Sequence, residues 1–241
     1  MTARPQNEDR IPLVQRLDEI SRYCRGKKVL HLGCADSPYT QTAIEAGSLL
    51  HFELEKIAGE LYGFDFDDAS LNILRERGST NLYVADLEHL ENTELDETFD
   101  VIVAGEMIEH LNNPGLFLDG IKRFMDGNTR LLVTTINAYC GMRFFRYGLT
   151  KRYGRNEPVH PDHVAYYSYS TLSLLLNRHG LAVERFMFCD LGREHRPTTP
   201  FIIRLFNDVS VRFASQWADG VFAVCRLADS TAVENSVDLE A

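Results

Sequence analysis

The feature that most constrains this chain is an alternation. Short β-rich runs, KKVLHLG, ELYGFDF, NLYVAD, FDVIVAG and TRLLVTTIN, are separated by PYTQTAIEAGSLLHFELEKIAG, DDASLNILRERG and GLFLDGIKRFMDG, which carry apolar residues at helical spacing and close in Gly. A strand, an amphipathic helix and a further strand bury their apolar sides together when the strands lie parallel in one sheet with helices across its faces. The expected class is therefore α/β. Ahead of the first run, IPLVQRLDEISRYC places Leu13, Val14, Leu17 and Ile20 on one helical face, so residues 1–26 read as a covering helix and 27–228 as the main domain. After the fifth run, residues 138–165 are rich in aromatics, Arg and Gly without a clean period, which suggests a partly helical lid. A helix (YSTLSLLLNRHG), a strand (LAVERFMFC), a helix (PFIIRLFNDVSVRFASQ) and a last strand (DGVFAVCRL) follow, and the small, acidic residues 229–241 read as a disordered tail.

Charge and cysteine usage narrow the function. A formal net charge of -10 argues against non-specific binding to a nucleic-acid backbone, since phosphate affinity comes mainly from clustered Lys and Arg. The five cysteines stand singly, with no CxxC pair, so they read as buried small residues in a reducing compartment and not as a disulfide or zinc framework. The polar start and the lack of an 18-residue apolar run predict a cytoplasmic protein without a membrane span.

Three acidic or small-residue turns fall at neighbouring strand ends. The first is Gly33, Cys34, Ala35, Asp36, Ser37, where small side chains let a ligand approach the backbone at a helix N-terminus. Asp65 ends the second strand, placed to accept hydrogen bonds from a ribose diol, and Asp86 ends the third, in reach of an adenine amino group. After the fourth comes GEMIEH, residues 105–110, whose Glu106, Glu109 and His110 would converge on one side of a helical turn. The alternative reading is a solvated acidic first turn favoured by the helix dipole.

In motif order the chain resembles the class I S-adenosylmethionine-dependent methyltransferases, which implies a Rossmann-like seven-stranded, mostly parallel sheet with an antiparallel last strand, helices on both faces and a lid after strand five. The resemblance implies that Gly33 to Ser37 hold the methionine end of the cofactor, with His31 where the family carries an acid, and that Gly105 lines the same crevice. Asp65 with Phe66 would meet the ribose, and Asp86 with Leu87 the adenine. EMIEHLNNP is similar to the ExxEH segment of the ubiquinone-biosynthesis O-methyltransferases and the small-RNA 2′-O-methyltransferases, in which a further His completes a divalent-metal site. That likeness implies Glu106, Glu109, His110 and His163 as ligands to Mg, Mn or Zn, with His160 as alternate to His163, and Glu109, His110 and His163 as the catalytic group. A metal-free version uses His110 or His163 as general base.

The expected activity is O-methylation of a small hydroxylated acceptor such as a sugar, diol or catechol-like ring. RNA 3′-end methylation and a non-catalytic cofactor-binding role, the latter favoured by His31, are the alternatives. The lid's Arg143, Arg146, Lys151, Arg152 and Arg155 suit an anionic acceptor, or else cover Phe144 and Phe145 with their stems.

Overall fold

The structure, a computed structural model, describes residues 10–149, 160–193 and 195–228. Its strands are β1 (Leu13–Val14), β2 (Lys28–Leu32), β3 (Glu60–Asp65), β4 (Leu82–Val84), β5 (Val101–Gly105), β6 (Arg130–Ile136), β7 (Leu181–Cys189) and β8 (Gly220–Leu227). They form one sheet in the order β1-β7-β8-β6-β5-β2-β3-β4. All neighbours are parallel except β8, which runs antiparallel to both β6 and β7.

Burial on both faces explains why the strands read as continuous apolar runs instead of alternating ones. Successive residues feed opposite layers. Val29, Val101 and Leu132 pack with Ile20, Cys24 and Leu54, which belong to α1 (Arg16–Cys24) and α3 (Leu50–Glu55). Leu30, Ile102 and Leu131 pack on the other side with Phe117, Leu118 and Ile121 of α5 (Pro114–Ile121) and with Leu172 and Leu176 of α7 (Tyr169–Arg178). A smaller cluster joins Cys34 and Ala35 to α2 (Thr40–Ala46) and to Leu71 and Leu74 of α4 (Asp68–Glu76). The remaining helices, α6 (Gly141–Leu149) and α8 (Phe201–Phe213), pack on one another through stacked Phe145 and Phe206 rings 4.2 Å apart. All five cysteines are buried and unpaired, as expected.

Two local expectations are corrected. Leu13 and Val14 do not start the covering helix; they form an eighth, edge strand on β7, where the Phe188 N–H donates to Pro12 O (2.8 Å) and the Asp190 N–H to Val14 O (2.9 Å). Satisfying the open edge of β7 outweighs the helical spacing of two apolar residues. The long stretch expected as one helix after β2 is two, because Gly47 adopts φ +64° and ends α2 in a left-handed cap. Lys151, Arg152 and Arg155 of the lid and the C-terminal tail, residues 229–241, lie outside the described residues.

Gly63 of β3 faces a close-packed spot: a Cβ there would lie 2.6 Å from Cys34 Sγ, 2.7 Å from Leu82 Cδ2 and 2.9 Å from His51 Cε1. Gly63→Ala is expected to lower unfolding free energy by about 1–3 kcal/mol through overpacking, read from the urea midpoint, and an unchanged midpoint would contradict this packing.

Candidate functional site

The chain leaves central strand β2 toward β3 on one side, while β5 flanks it on the other. In a sheet of this kind that reversal opens a crevice at the carboxyl ends of the strands. The β2 turn lines it with backbone in a left-handed bend, Gly33 at φ +66° and Asp36 at φ +54°. Asp65, buried at the end of β3, ties this turn down: its Oδ2 accepts from the Ala35 N–H (2.9 Å) and its Oδ1 from the Asp67 N–H (3.2 Å). A carboxylate has about four acceptor positions, so two bonds leave it capacity for a ligand's hydroxyls. Burial pushes its pKa up against those stabilising amides.

Asp67, which sequence reasoning passed over, accepts from Ser37 Oγ (3.0 Å) and caps α4 through the Ala69 N–H. The DD pair opening a helical run was the available signal. Phe66 stands 73% exposed at the mouth, an apolar face with nothing packed over it. Asp86 is exposed, with one oxygen accepting from the Glu88 N–H (2.9 Å), and Leu87 lies half-buried against the core. Glu88 in turn clips the loop that follows GEMIEH, accepting from the Asn112 N–H (2.7 Å) and Asn113 Nδ2 (3.0 Å).

His31 does not face the crevice. It is buried against His51 of α3, the rings stacked and the two Nδ1 atoms 3.3 Å apart, so one proton is shared between them. The carboxylates near the β2 turn are instead Asp36 and Glu106. Burial, then Glu106 and Asp65, push Asp36 up. Glu106 follows Gly105 at φ +52°, its N–H donating to Thr134 O (2.9 Å) and its carboxylate 3.7 Å from Arg16 Nε. Burial works to raise its pKa, but Arg16 first, then His195, Arg143 and His163, bring it below the ordinary value.

The left-handed Glu106 and the single 3₁₀ turn at Ile108–His110 replace the helical turn that would have aligned GEMIEH. The structure therefore separates the three side chains. Glu106 turns to Arg16, and Glu109 is fully buried with neither carboxylate oxygen hydrogen-bonded. Burial, with Glu106 adding to it, lifts Glu109 to about 7.

His110 instead joins two histidines from the far side of the lid. Among the described residues His110, His160 and His163 offer ring nitrogens all within 4.8 Å of one another. The His110 and His163 rings meet edge to face at 4.6 Å, so both candidate lid histidines converge on His110. Their loop is held by the Val164 N–H donating to Glu109 O (2.9 Å). Asp162 sits 3.1 Å from His110 Nδ1 and orients that ring. His160 Nδ1 accepts from the Asp162 N–H (3.3 Å), and its Nε2 lies 3.1 Å from the Tyr39 hydroxyl. Burial, and then His110, His160 and Arg143, push His163 down to about 4, so it is neutral at pH 7, and its Nδ1 is buried with no hydrogen bond. Arg143 binds Asp219 (Nη2 to Oδ1, 2.9 Å; Nη1 to the backbone O, 2.7 Å) and is not a free anion receptor.

This sheet order, with its antiparallel β8 and a small-residue turn opposite an acidic strand end, defines an S-adenosylmethionine-binding methyltransferase fold. The family described as "Methyltransferase domain" matches residues 8–185, and the chain belongs to it. It is similar to the ubiquinone biosynthesis O-methyltransferase of Shewanella halifaxensis, 26% identical over 125 residues that cover 50% of this chain and 48% of that protein. It is also similar to a probable S-adenosylmethionine-dependent methyltransferase of Mycolicibacterium smegmatis, 27% identical over 168 residues, 68% of this chain and 56% of the relative. The chain spans about half the length of the curated relatives it matches. Among solved structures, the magnesium protoporphyrin IX methyltransferase of Synechocystis PCC 6803 with bound S-adenosylhomocysteine superposes with TM-score 0.53 at 13% identity, covering 87% of this chain and 81% of that one, a likeness of fold.

Proposed function

We propose that this S-adenosylmethionine-dependent methyltransferase O-methylates a small hydroxylated acceptor, a sugar, a diol or a catechol-like ring, beside a divalent ion held by His110, His160 and His163. The observation that carries the reading is the convergence of those three imidazoles at the carboxyl edge of the sheet, with one buried nitrogen of His163 lacking any partner. Buried polar atoms in folded proteins are rarely orphaned, and a neutral imidazole is a ready metal ligand. The similarity to ubiquinone biosynthesis O-methyltransferases of Shewanella halifaxensis and Proteus mirabilis supports the hydroxyl acceptor.

The residues that face the crevice fit the methyl donor. Gly33, Cys34, Ala35 and Ser37 offer close backbone for its methionine end, and Asp36 and Glu106 supply the carboxylate that His31 does not. Asp65 accepts from the ribose hydroxyls, Phe66 and Leu87 flank the base, and Asp86 accepts from its amino group. Gly105 keeps the floor of the crevice open. When bound, the ion lowers the pKa of the acceptor hydroxyl and fixes it in place. His163, neutral and pushed to about 4, is too weak a base for neutral pH and serves as a ligand. His110, half-exposed and steered by Asp162 at Nδ1, offers its other ring nitrogen to the ion.

His163→Gln is expected to weaken Mn²⁺ binding by about 10–100-fold in calorimetry while S-adenosylhomocysteine affinity stays within about 3-fold. Turnover against a panel of sugars and catechols should stop with excess chelator and return with Mn²⁺, Mg²⁺ or Zn²⁺. Full turnover by a protein that elemental analysis finds metal-free would refute the ion and leave His110 as the base.

A further inference from the structure

Helix α8 is apolar on its outward side as well as its inward one. Its inward face carries Asn207, whose Nδ2 donates to Asp190 (2.8 Å), and Ser210, beside Ile203 and Val211. Its outward face carries Phe201, Ile202, Leu205, Val209 and Phe213, each 51–81% exposed. A surface helix ordinarily turns polar residues outward, and a contiguous exposed apolar stripe of this size marks a surface that something covers. The stripe continues onto α6, stacked beside it, where Phe144 is 61% exposed.

The charges on this face indicate what covers it. Among the described residues its carboxylates are taken, Asp208 by Arg196 and Asp219 by Arg143, whereas Arg146, Arg204 and Arg212 pair with no carboxylate. The face is thus apolar with a cationic border, on a chain whose formal net charge is -10. A second copy docked by two-fold symmetry would bring the same cationic border and no free carboxylate to meet it. An anionic bilayer would meet both features: the apolar stripe enters the headgroup boundary, the arginines meet lipid phosphates, and the acidic remainder is repelled, which orients the molecule. No described helix is long and apolar enough to cross a membrane, so this contact lies in the plane of the surface.

We infer that α8 and the adjoining edge of α6 form a peripheral docking surface for anionic lipid membranes. The inference concerns a surface outside the methyl-transfer crevice and does not depend on which acceptor is used.

The single tryptophan, Trp217, lies just after α8, 45% exposed, and serves as reporter. Vesicles of equal phosphatidylglycerol and phosphatidylcholine should pellet the protein and shift Trp217 emission to the blue. Pure phosphatidylcholine should do neither, and high salt should release the protein. Leu205→Glu with Phe213→Glu should cut pelleting by about 10-fold or more without moving the thermal midpoint, since both side chains are exposed. Arg212→Glu alone should weaken pelleting and provides a milder variant should the double one fold poorly. Equal binding to both vesicle types overturns the anionic assignment. A concentration-dependent dimer in sedimentation that the same pair dissolves, with no vesicle binding, or a monomer that ignores vesicles, overturns the proposal altogether.

Discussion

Asp65→Ala is expected to weaken S-adenosylhomocysteine binding by about 100-fold or more in calorimetry. Hydrogen bonds to a charged acceptor are worth about 1.5–3 kcal/mol each, two ribose hydroxyls would use this carboxylate, and about 1.4 kcal/mol is a factor of ten. The substitution also strands the Ala35 and Asp67 amides, which now meet Asp65 at 2.9 and 3.2 Å. A drop in thermal midpoint should therefore accompany the loss of affinity. Asp65→Asn separates the two effects, because an amide oxygen can still accept from the turn while the charge is gone. It should recover most of the stability and little of the affinity. Unchanged affinity in the Ala variant would remove Asp65 from the cofactor site.

The second large effect is on acid stability. His31 and His51 are both buried, and desolvation is the first cause that lowers each of them, His51 to about 4 from an ordinary 6.5. For His31 the His51 and Arg16 charges add to that lowering. With folded pKa values depressed, the unfolded chain binds more protons below pH 6.5. The stability that neutral His51 contributes is then complete above 6.5 and is lost as pH falls toward about 4. His51 alone accounts for roughly 3 kcal/mol across that window, at about 1.4 kcal/mol per pKa unit. His31→Leu with His51→Leu should flatten the wild-type decline between pH 6.5 and 4.5 in urea unfolding, the wild-type-minus-variant difference removing the common carboxylate contribution. A parallel decline in both proteins would show that the pair does not carry it.

The alternation of apolar runs was enough to read the parallel sheet and its covering helices, because Val29 and Leu30, or Val101 and Ile102, are needed on opposite faces and only a doubly covered strand uses both. Asp65 was legible as the acid that ends β3, and the structure has its buried carboxylate holding the turn after β2 through the Ala35 N–H. The disposition of GEMIEH was not. Spacing alone suggested convergence, but the pairing of the Glu106 N–H with Thr134 O and of its carboxylate with Arg16 holds the residue left-handed and breaks the turn.

What the sequence by itself determined is everything set by local period and order: the α/β class, the strand sequence, the acidic strand ends. What only the tertiary structure decided depends on partners distant in the chain. Leu13 and Val14 became a strand because β7 had an open edge. His31 left the crevice because His51, 20 residues later, lies beneath it. His160 and His163 met His110 because the segment that carries them is tied to the turn, its Val164 N–H donating to Glu109 O. None of these choices has a local signal, since each side chain or edge settles where a remote group satisfies it, and that is a property of the assembled fold.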